Sequence, residues 1–451
     1  MKMILMGVGK IGFAIAQQLS SEGHDLTLVD QNLEALRRAD AALDVLCMEG
    51  NGASVSMLLR AGVQTADLVI AVSGSDESNL ICCLLAKKLG VPRTVARVRD
   101  PEFFKDTPLL KQEIGLDMVI NPEYSAALEI KRILRFPPAS CVETFAGGRM
   151  DMIGIRVEKS DALAGHSLLE LKIRFPNGIL VCAAQRGEET VIPNGDFVPE
   201  LGDELYLIGE HKELKRVFTS LGRTMTPVRQ VTILGGSRLA VYLGWELARM
   251  DMKLRLVELN PAKCGEISDS LPNAVILQGD GTDEELLESE GLFHTDAFVT
   301  LTNRDEENLL MAMNARHRGV PRVLAKMTRP NYIRMVADLD LGTIVSPKDI
   351  AANQITAYVR AVANSEGSAV ESYYKLLGGK VEVVEFTATP TTNFLLTPLR
   401  DLRLKRGLLI AGIVRQGRCL IPDGQSCIYA GDRVIVVAKS LCIGDLNDIL
   451  R

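Results

Sequence analysis

The second half of this 451-residue chain repeats its first half, and no other feature limits the possible folds as much. Leu28-Val29-Asp30 recurs as Leu256-Val257-Glu258, and Asp76-Glu77-Ser78-Asn79-Leu80 as Asp305-Glu306-Glu307-Asn308-Leu309. Gly90-Val91-Pro92-Arg93 recurs as Gly319-Val320-Pro321-Arg322, and Ile192-Pro193-Asn194-Gly195 as Ile421-Pro422-Asp423-Gly424. Gly202-Asp203 recurs as Gly431-Asp432, always at a spacing of 228 or 229 residues. A solenoid repeats every ~20–50 residues, so this period indicates one design duplicated in tandem. At ~100–200 residues per domain, length alone implies two to four domains. The repeat selects four modules in two copies.

Within residues 1–122, short Val/Ile/Leu-rich runs (MKMILMGV, DLTLVD, LDVLCMEG, DLVIAVSG, TVARVRD, DMVINP) alternate with helical patterns. That alternation predicts βαβ units and a parallel sheet covered on both faces. Helices are expected near 11–21, 33–41, 55–61, 77–89 and 101–112, and the same order returns over 229–347. Residues 140–224 read differently: DMIGIRV, ILVCAAQR, ETVIP and DELYLIG are short strands with turns between them, around a helix at LAGHSLLEL. Residues 366–451 match this pattern with KVEVVEF, LLIAGIVR, CLIP and RVIVVAK. The expected architecture is α/β: a Rossmann-like parallel-sheet domain followed by a small α+β domain, twice. Helices at 124–135 and 350–363 join each pair, the first ending at a stiff Phe136-Pro137-Pro138 break.

The chemical signal is Gly7-Val8-Gly9-Lys10-Ile11-Gly12, directly after a strand and opening a helix. Gly7 allows the tight turn, Gly9 lets the backbone approach a pyrophosphate, and Gly12 lets helix pack on strand. The helix N-terminus supplies free N–H groups and a positive dipole end for phosphate. Asp30 ends the second strand, where a carboxylate accepts from both ribose hydroxyls and repels a 2′-phosphate. NAD or an adenine nucleotide is therefore preferred over NADP. Asn51 and Gly52, in the turn after the third strand, can frame an adenine edge. Arg97, at the end of the fifth strand, sits where ligands bind in such sheets, and reads either as a phosphate contact or as a solvated salt bridge. The second copy is degenerate. Gly235 and Glu258 are kept, Ser237 and Ala240 replace two glycines, and Arg238 could partly compensate by charge. A weaker ligand site (Gly235, Ser237, Arg238, Glu258) and a purely structural copy both remain open.

Other classes are disfavoured. A net charge of -6 and 5% aromatic residues argue against a nucleic-acid partner working through a basic surface or a stacking platform. No segment approaches the ~20 apolar residues of a membrane helix, and the N-terminus is not expected to be a signal peptide. Nine cysteines without a C-x-x-C pair read as reduced core thiols. No His/Cys/Asp cluster has metal-ligand spacing. None of the five histidines (His24, His166, His211, His294, His317) falls in a catalytic motif, and no catalytic residue is assigned. A cofactor-type pocket without a proton relay favours a sensor over the alternative, an NAD-dependent oxidoreductase.

Taken together, MKMILMGVGKIG, LTLVD, EGNGAS, ADLVIAVSGSDESN, VARVRDPEF, NPEYSAALEI, DAFVTLTNRDEEN and the two I-P-[ND]-G…G-D signatures resemble the TrkA family. These are regulatory subunits of Trk potassium-uptake systems, built from regulator-of-potassium-conductance (RCK) domains, and the resemblance spans the whole chain. It implies tandem RCK N and RCK C modules at 1–122, 140–224, 229–347 and 366–451. It also implies a cytoplasmic homotetrameric ring, peripheral on the inner face of the membrane, under a TrkH/TrkG-like channel subunit. The implied ligand is NAD(H) or ATP/ADP, whose binding changes ring shape and gates potassium flow. The family's ligand contacts map onto Gly7 to Ile11 (Gly7, Val8, Gly9, Lys10, Ile11), Asp30, Ser73 and Arg97. The two lost glycines of the second fingerprint depart from the family pattern.

Overall fold

The computed structural model describes residues 1–136, 139, 141–158, 163–174, 179–221, 226–329, 342–363, 369–439 and 443–451. The Pro137-Pro138 break lies outside them. The first repeat begins with β1 (Lys2–Met6), α1 (Lys10–Ser21), β2 (Asp25–Asp30), α2 (Leu33–Ala42), β3 (Leu46–Glu49) and α3 (Val55–Arg60). It continues with β4 (Leu68–Ala71), α4 (Asp76–Lys88), β5 (Arg93–Arg97), α5 (Pro101–Lys105), α6 (Thr107–Ile114), β6 (Met118–Ile120) and α7 (Pro122–Arg135). Then come β7 (Cys141–Phe145), β8 (Met150–Arg156), α8 (Leu168–Arg174), β9 (Ile179–Arg186), β10 (Glu189–Val191), β11 (Glu204–Gly209) and α9 (His211–Ser220).

The second repeat runs through β12 (Gln230–Leu234), α10 (Arg238–Ala248), β13 (Lys253–Glu258), α11 (Pro261–Ser270), β14 (Val275–Gln278) and α12 (Glu284–Ser289). After these come β15 (Ala297–Thr300), α13 (Asp305–His317), β16 (Arg322–Lys326), β17 (Thr343–Val345) and α14 (Pro347–Ala363). It closes with β18 (Ala369–Leu376), β19 (Val381–Thr387), β20 (Leu408–Arg415), β21 (Arg418–Leu420) and β22 (Arg433–Lys439).

The chain folds like with like. One compact unit holds Met1–Lys131 with Val228–Thr356, and the other holds Arg132–Pro227 with Ala357–Arg451. In the first unit, two parallel six-stranded sheets share one Rossmann order, β3-β2-β1-β4-β5-β6 and β14-β13-β12-β15-β16-β17. Their central strands are buried on both faces, as in β4, where all four residues are inaccessible; this explains the continuous apolar runs. Local signals set the helix starts. Asn32 caps α2 by accepting from Glu34 and Ala35 N–H, and Ser75 caps α4 by accepting from Ser78 N–H. Acids in the first turn of α4 and lysines in its last complement the helix dipole.

The expected 101–112 helix is two helices, α5 and α6. Asp106 sits between them at φ -87, ψ 8, and Pro108 lacks the N–H to continue the first.

The second unit holds two antiparallel five-stranded sheets, β10-β9-β11-β8-β7 and β18-β19-β22-β20-β21. Their apolar faces form one core in which Phe145, Met150 and Cys182 pack with Leu376, Val381 and Ile435. The buried Glu385 carboxylate accepts the Ala146 N–H at 3.1 and 3.2 Å, the Ser372 hydroxyl at 2.9 Å and an Arg433 ion pair at 3.2 Å. Strands β7 and β18 and helix α9 add to the sequence expectation. The expected helix at LAGHSLLEL begins late, at Leu168, behind a Ser167/Glu170 pair in which each side chain accepts the other's N–H. Among the described residues all eight cysteines are free thiols.

Candidate functional site

Each fingerprint glycine has a distinct steric reason. Gly7 stands at φ +98, and a Cβ there would lie 2.6 Å from Ser73 N, so the β1 turn can meet the end of β4 only through glycine. A Cβ on Gly12 would lie 1.8 Å from Gly7 O, which fixes how closely α1 seats on the strand. A Cβ on Gly9 would meet nothing within 4 Å, so that backbone faces open space where a phosphate can approach. Val8 is buried behind the turn and donates its N–H to Asp30 Oδ2 at 2.5 Å; Asn32 N donates to Asp30 Oδ1 at 2.8 Å. The carboxylate thus shapes the loop while keeping lone pairs for a ribose. In the next turn, Asn51 Oδ1 accepts from Ala53 N at 3.0 Å.

The ends of β4 and β5 are held by a latch built from Asn79 and Asp76. Asn79 is fully buried; its Oδ1 accepts from Ser73 N at 2.7 Å, and its Nδ2 donates to Ser73 O at 3.3 Å and Arg97 O at 3.0 Å. Asp76 Oδ2 accepts from Arg99 N and Asp100 N, both at 2.8 Å. The second copy repeats the latch: Asn308 bonds Thr302 N and O and Lys326 O, and Asp305 accepts from Thr328 and Arg329 N–H. The signal was present in the repeated D-E-x-N-L motif. Replacing Asn79 by alanine is expected to cost about 3 kcal/mol, because buried backbone groups lose their partners. Thermal or urea unfolding of the variant measures it.

Arg97 is 7% exposed, which removes the solvated salt-bridge reading. One Nη donates to Ser73 O, and its buried Nε has no hydrogen-bond partner. Burial, then the like charge of Arg99, pulls its pKa down to about 10, against the opposing pull of Glu123 and Asp76. An orphaned guanidinium N–H at the ligand edge suits an arriving phosphate.

Both Rossmann copies line one cleft of about 1100 Å³. Gly7, Gly9, Lys10, Ile11, Asp30, Asn51, Gly52, Ser73 and Arg97 come from the first copy; Ser237, Arg238, Lys326 and Lys348 face them from the second. Lys10 Nζ reaches Thr328 Oγ1 at 3.5 Å. Tyr242 on α10 donates its hydroxyl to Arg99 O at 3.0 Å and accepts from Asn121 Nδ2 at 2.8 Å.

The second fingerprint lines a smaller hollow of about 260 Å³ with Gly235, Ser237, Glu258 and Asp280. Glu258 copies Asp30, accepting from Gly236 N and Asn260 N at 2.8 Å. Ser237 stands where the first copy has Gly9 and caps its own helix, accepting from Ala240 N at 3.4 Å. Arg238 does not line this hollow; it lines the larger cleft.

The TrkA-N domain family matches residues 3–122 and 231–347, and the TrkA-C domain family matches residues 152–222 and 383–449. The chain is 30% identical to the Trk system potassium uptake protein TrkA homolog 1 of Methanosarcina mazei, over 100% of each chain. It is 30% identical to the Trk system potassium uptake protein TrkA of Halomonas elongata, over 97% of this chain and 95% of that one. Among solved structures it is similar to the GsuK channel bound to NAD, with TM-score 0.63 and 19% identity, over 97% of this chain and 77% of that one. The last likeness is one of fold. Full-length identity and both domain matches carry the assignment, and the chain belongs to the TrkA family of Trk potassium-uptake proteins.

Proposed function

We propose that this chain is a cytoplasmic regulatory subunit that binds an adenine nucleotide in the larger cleft and reports its occupancy to a membrane-embedded potassium-transport protein of the TrkH/TrkG type. The cleft carries the reading. It joins a fingerprint with open space over Gly9, a ribose-directed Asp30 and an orphaned Arg97 N–H to a basic wall from the second copy. Gly7 to Ile11, Asp30, Asn51, Gly52, Ser73 and Arg97 hold the ligand in this reading, either NAD(H) or ATP/ADP. Gly235, Ser237 and Glu258 form a weaker second site. No catalytic step is assigned, and the names of the relatives do not favour an oxidoreductase.

The modules at 1–122 and 229–347 sense the nucleotide, those at 140–224 and 366–451 accompany them, and four copies of the chain form the ring. Among the described residues, no helix is long and apolar enough to cross a membrane, so the reading places the spanning part in another polypeptide. A ligand gates only through differential affinity for two states, typically ~1–3 kcal/mol of coupling. The Arg99–Tyr242–Asn121 hydrogen bonds give occupancy of the cleft a route to the first turn of α7, where Asn121 Oδ1 also accepts from Tyr124 N at 2.9 Å.

Calorimetric titration with NADH, NAD, ATP and ADP, paired with potassium flux through vesicles carrying a Trk-type membrane partner, tests the reading. At least one nucleotide is expected to bind and to change flux, and Arg97→Ala is expected to alter the ratio of ATP to ADP affinity. Absence of binding by all four would sink it.

A further inference from the structure

The cleft contains a buried charge that the nucleotide fingerprint does not use. Lys348 lines it, is 9% exposed, and has neither a hydrogen bond nor an ion pair among the described residues. It occupies the first turn of the 17-residue helix α14, next to Pro347. A lysine there opposes the helix dipole, and burying an unpaired ammonium is unfavourable in its own right. Its neighbour Asp349 is exposed and forms no ion pair with it. Ser346, just before the helix, holds a buried hydroxyl oxygen without a hydrogen-bond partner.

The surroundings sharpen the imbalance. Lys326, on the same wall, has its pKa lowered by burial first and by the charge of Lys10, with Asp305 and Glu123 opposing. Among the described residues its Nζ donates only to the neutral Asn303 Oδ1, at 3.3 Å. In the first copy the corresponding helix-start residue is Glu123, after Pro122, so the repeat has reversed the charge at this position. Two lysines and a helix N-terminus therefore line the same cleft as the first copy's phosphate loop; Glu123 lines it too and acts on Lys326 through its charge, but among the described residues neither lysine forms an ion pair.

We propose that the start of α14 is a phosphoryl-anion subsite, in which Lys348, assisted by Lys326, neutralises an anion in the larger cleft. Two sources share this chemistry: the terminal phosphate of a nucleotide seated on Gly7–Gly12, which rests on the function proposed above, and a separate phosphate ion. Either one links the two Rossmann copies, because the loop and the lysine belong to different repeats.

Calorimetric titration of the full chain and of Lys348→Met with ADP, ATP and inorganic phosphate tests this. If the anion is the nucleotide tail, Lys348→Met lowers ATP affinity by about tenfold or more, the effect of one lost charge-assisted hydrogen bond, while ADP affinity holds within about twofold. If it is a separate ion, inorganic phosphate binds the parent chain in the presence of ADP and fails to bind the variant, with the ATP to ADP ratio unchanged. Lys348→Met is also expected to raise the melting temperature of the ligand-free protein, since it removes an unpaired buried charge. Lys348→Arg keeps the charge and is expected to retain anion binding, so it decides the matter if the methionine variant does not fold. Unchanged affinities for ATP, ADP and phosphate in Lys348→Met overturn the subsite, as does loss of all three together with a lowered melting temperature. Failure of ADP to bind the parent chain would instead remove the nucleotide reading and leave the phosphate arm to decide the subsite.

Discussion

A chain carrying alanine at position 30 is expected to bind adenine nucleotides about 100-fold more weakly, or worse, than the parent. In the proposed complex a ribose diol donates two hydrogen bonds to this carboxylate, and losing two charge-assisted bonds of ~1.5 kcal/mol or more each gives that factor. The fold should survive. Asp30 also accepts from Val8 N and Asn32 N, so about 1–2 kcal/mol of stability goes with it. The repeat supplies an internal control, because Glu258 makes the same two backbone contacts in the second copy. Glu258→Ala should show a similar loss of stability with affinity in the larger cleft unchanged. Titration calorimetry and melting of both variants read the two effects separately. If both variants lose affinity equally, the larger cleft is not where the nucleotide binds.

The parts legible in the sequence were those set by local sterics and by burial on both faces. Continuous apolar runs marked the Rossmann strands because both sheet faces are covered, and the glycine turn could be read because Gly7 and Gly12 are forced by backbone contacts. Strands β7 and β18 did not show, because they bury residues irregularly (β7 buries Val142, Glu143 and Phe145 but not Cys141 or Thr144) and lack a continuous apolar run. Arg97 could be placed at the ligand edge, but its burial depends on how Ser73 and α4 close over it. The sequence pattern assigns Arg238 to its own copy's fingerprint, whereas the structure places it on the larger cleft. No local pattern reports that, since it depends on how two copies of one sequence pack together. Lys348 was invisible for the same reason: an isolated lysine at a helix start means little until both walls of the cleft are known.

The G-D signature shared by the two small modules carries the second large effect. Gly202 and Gly431 adopt left-handed φ values of +90 and +88, turning the chain so that the following aspartate points inward. Asp203 and Asp432 are each 2% exposed. Arg186 grips Asp203 with Nε at 2.9 Å and Nη2 at 2.7 Å, and Arg415 grips Asp432 with the same two distances. Each carboxylate also accepts one backbone N–H, from Glu200 and from Tyr429, both at 2.9 Å. Removing one partner of a buried pair costs ~3–5 kcal/mol. Because each arginine remains partly open to water, Asp203→Ala or Asp432→Ala is expected near the lower end, about 3 kcal/mol. At about 2–4 °C per kcal/mol, that lowers the melting temperature by roughly 6–12 °C.

The dependence on pH identifies the source. Burial alone would raise the Asp203 carboxyl, but the Arg186 hydrogen bond, the Glu200 N–H and the guanidinium charge outweigh it and hold the group below its ordinary range. A depressed carboxyl stabilises the fold above its unfolded pKa of about 3.9, and that contribution is lost as pH falls through the lower folded value. The gap in stability between the parent and Asp203→Ala should therefore be constant from about pH 5 to 8 and shrink below about pH 4. A gap of the same size at pH 3 and pH 7 would mean that packing, and not the ionised pair, holds this turn to its strand.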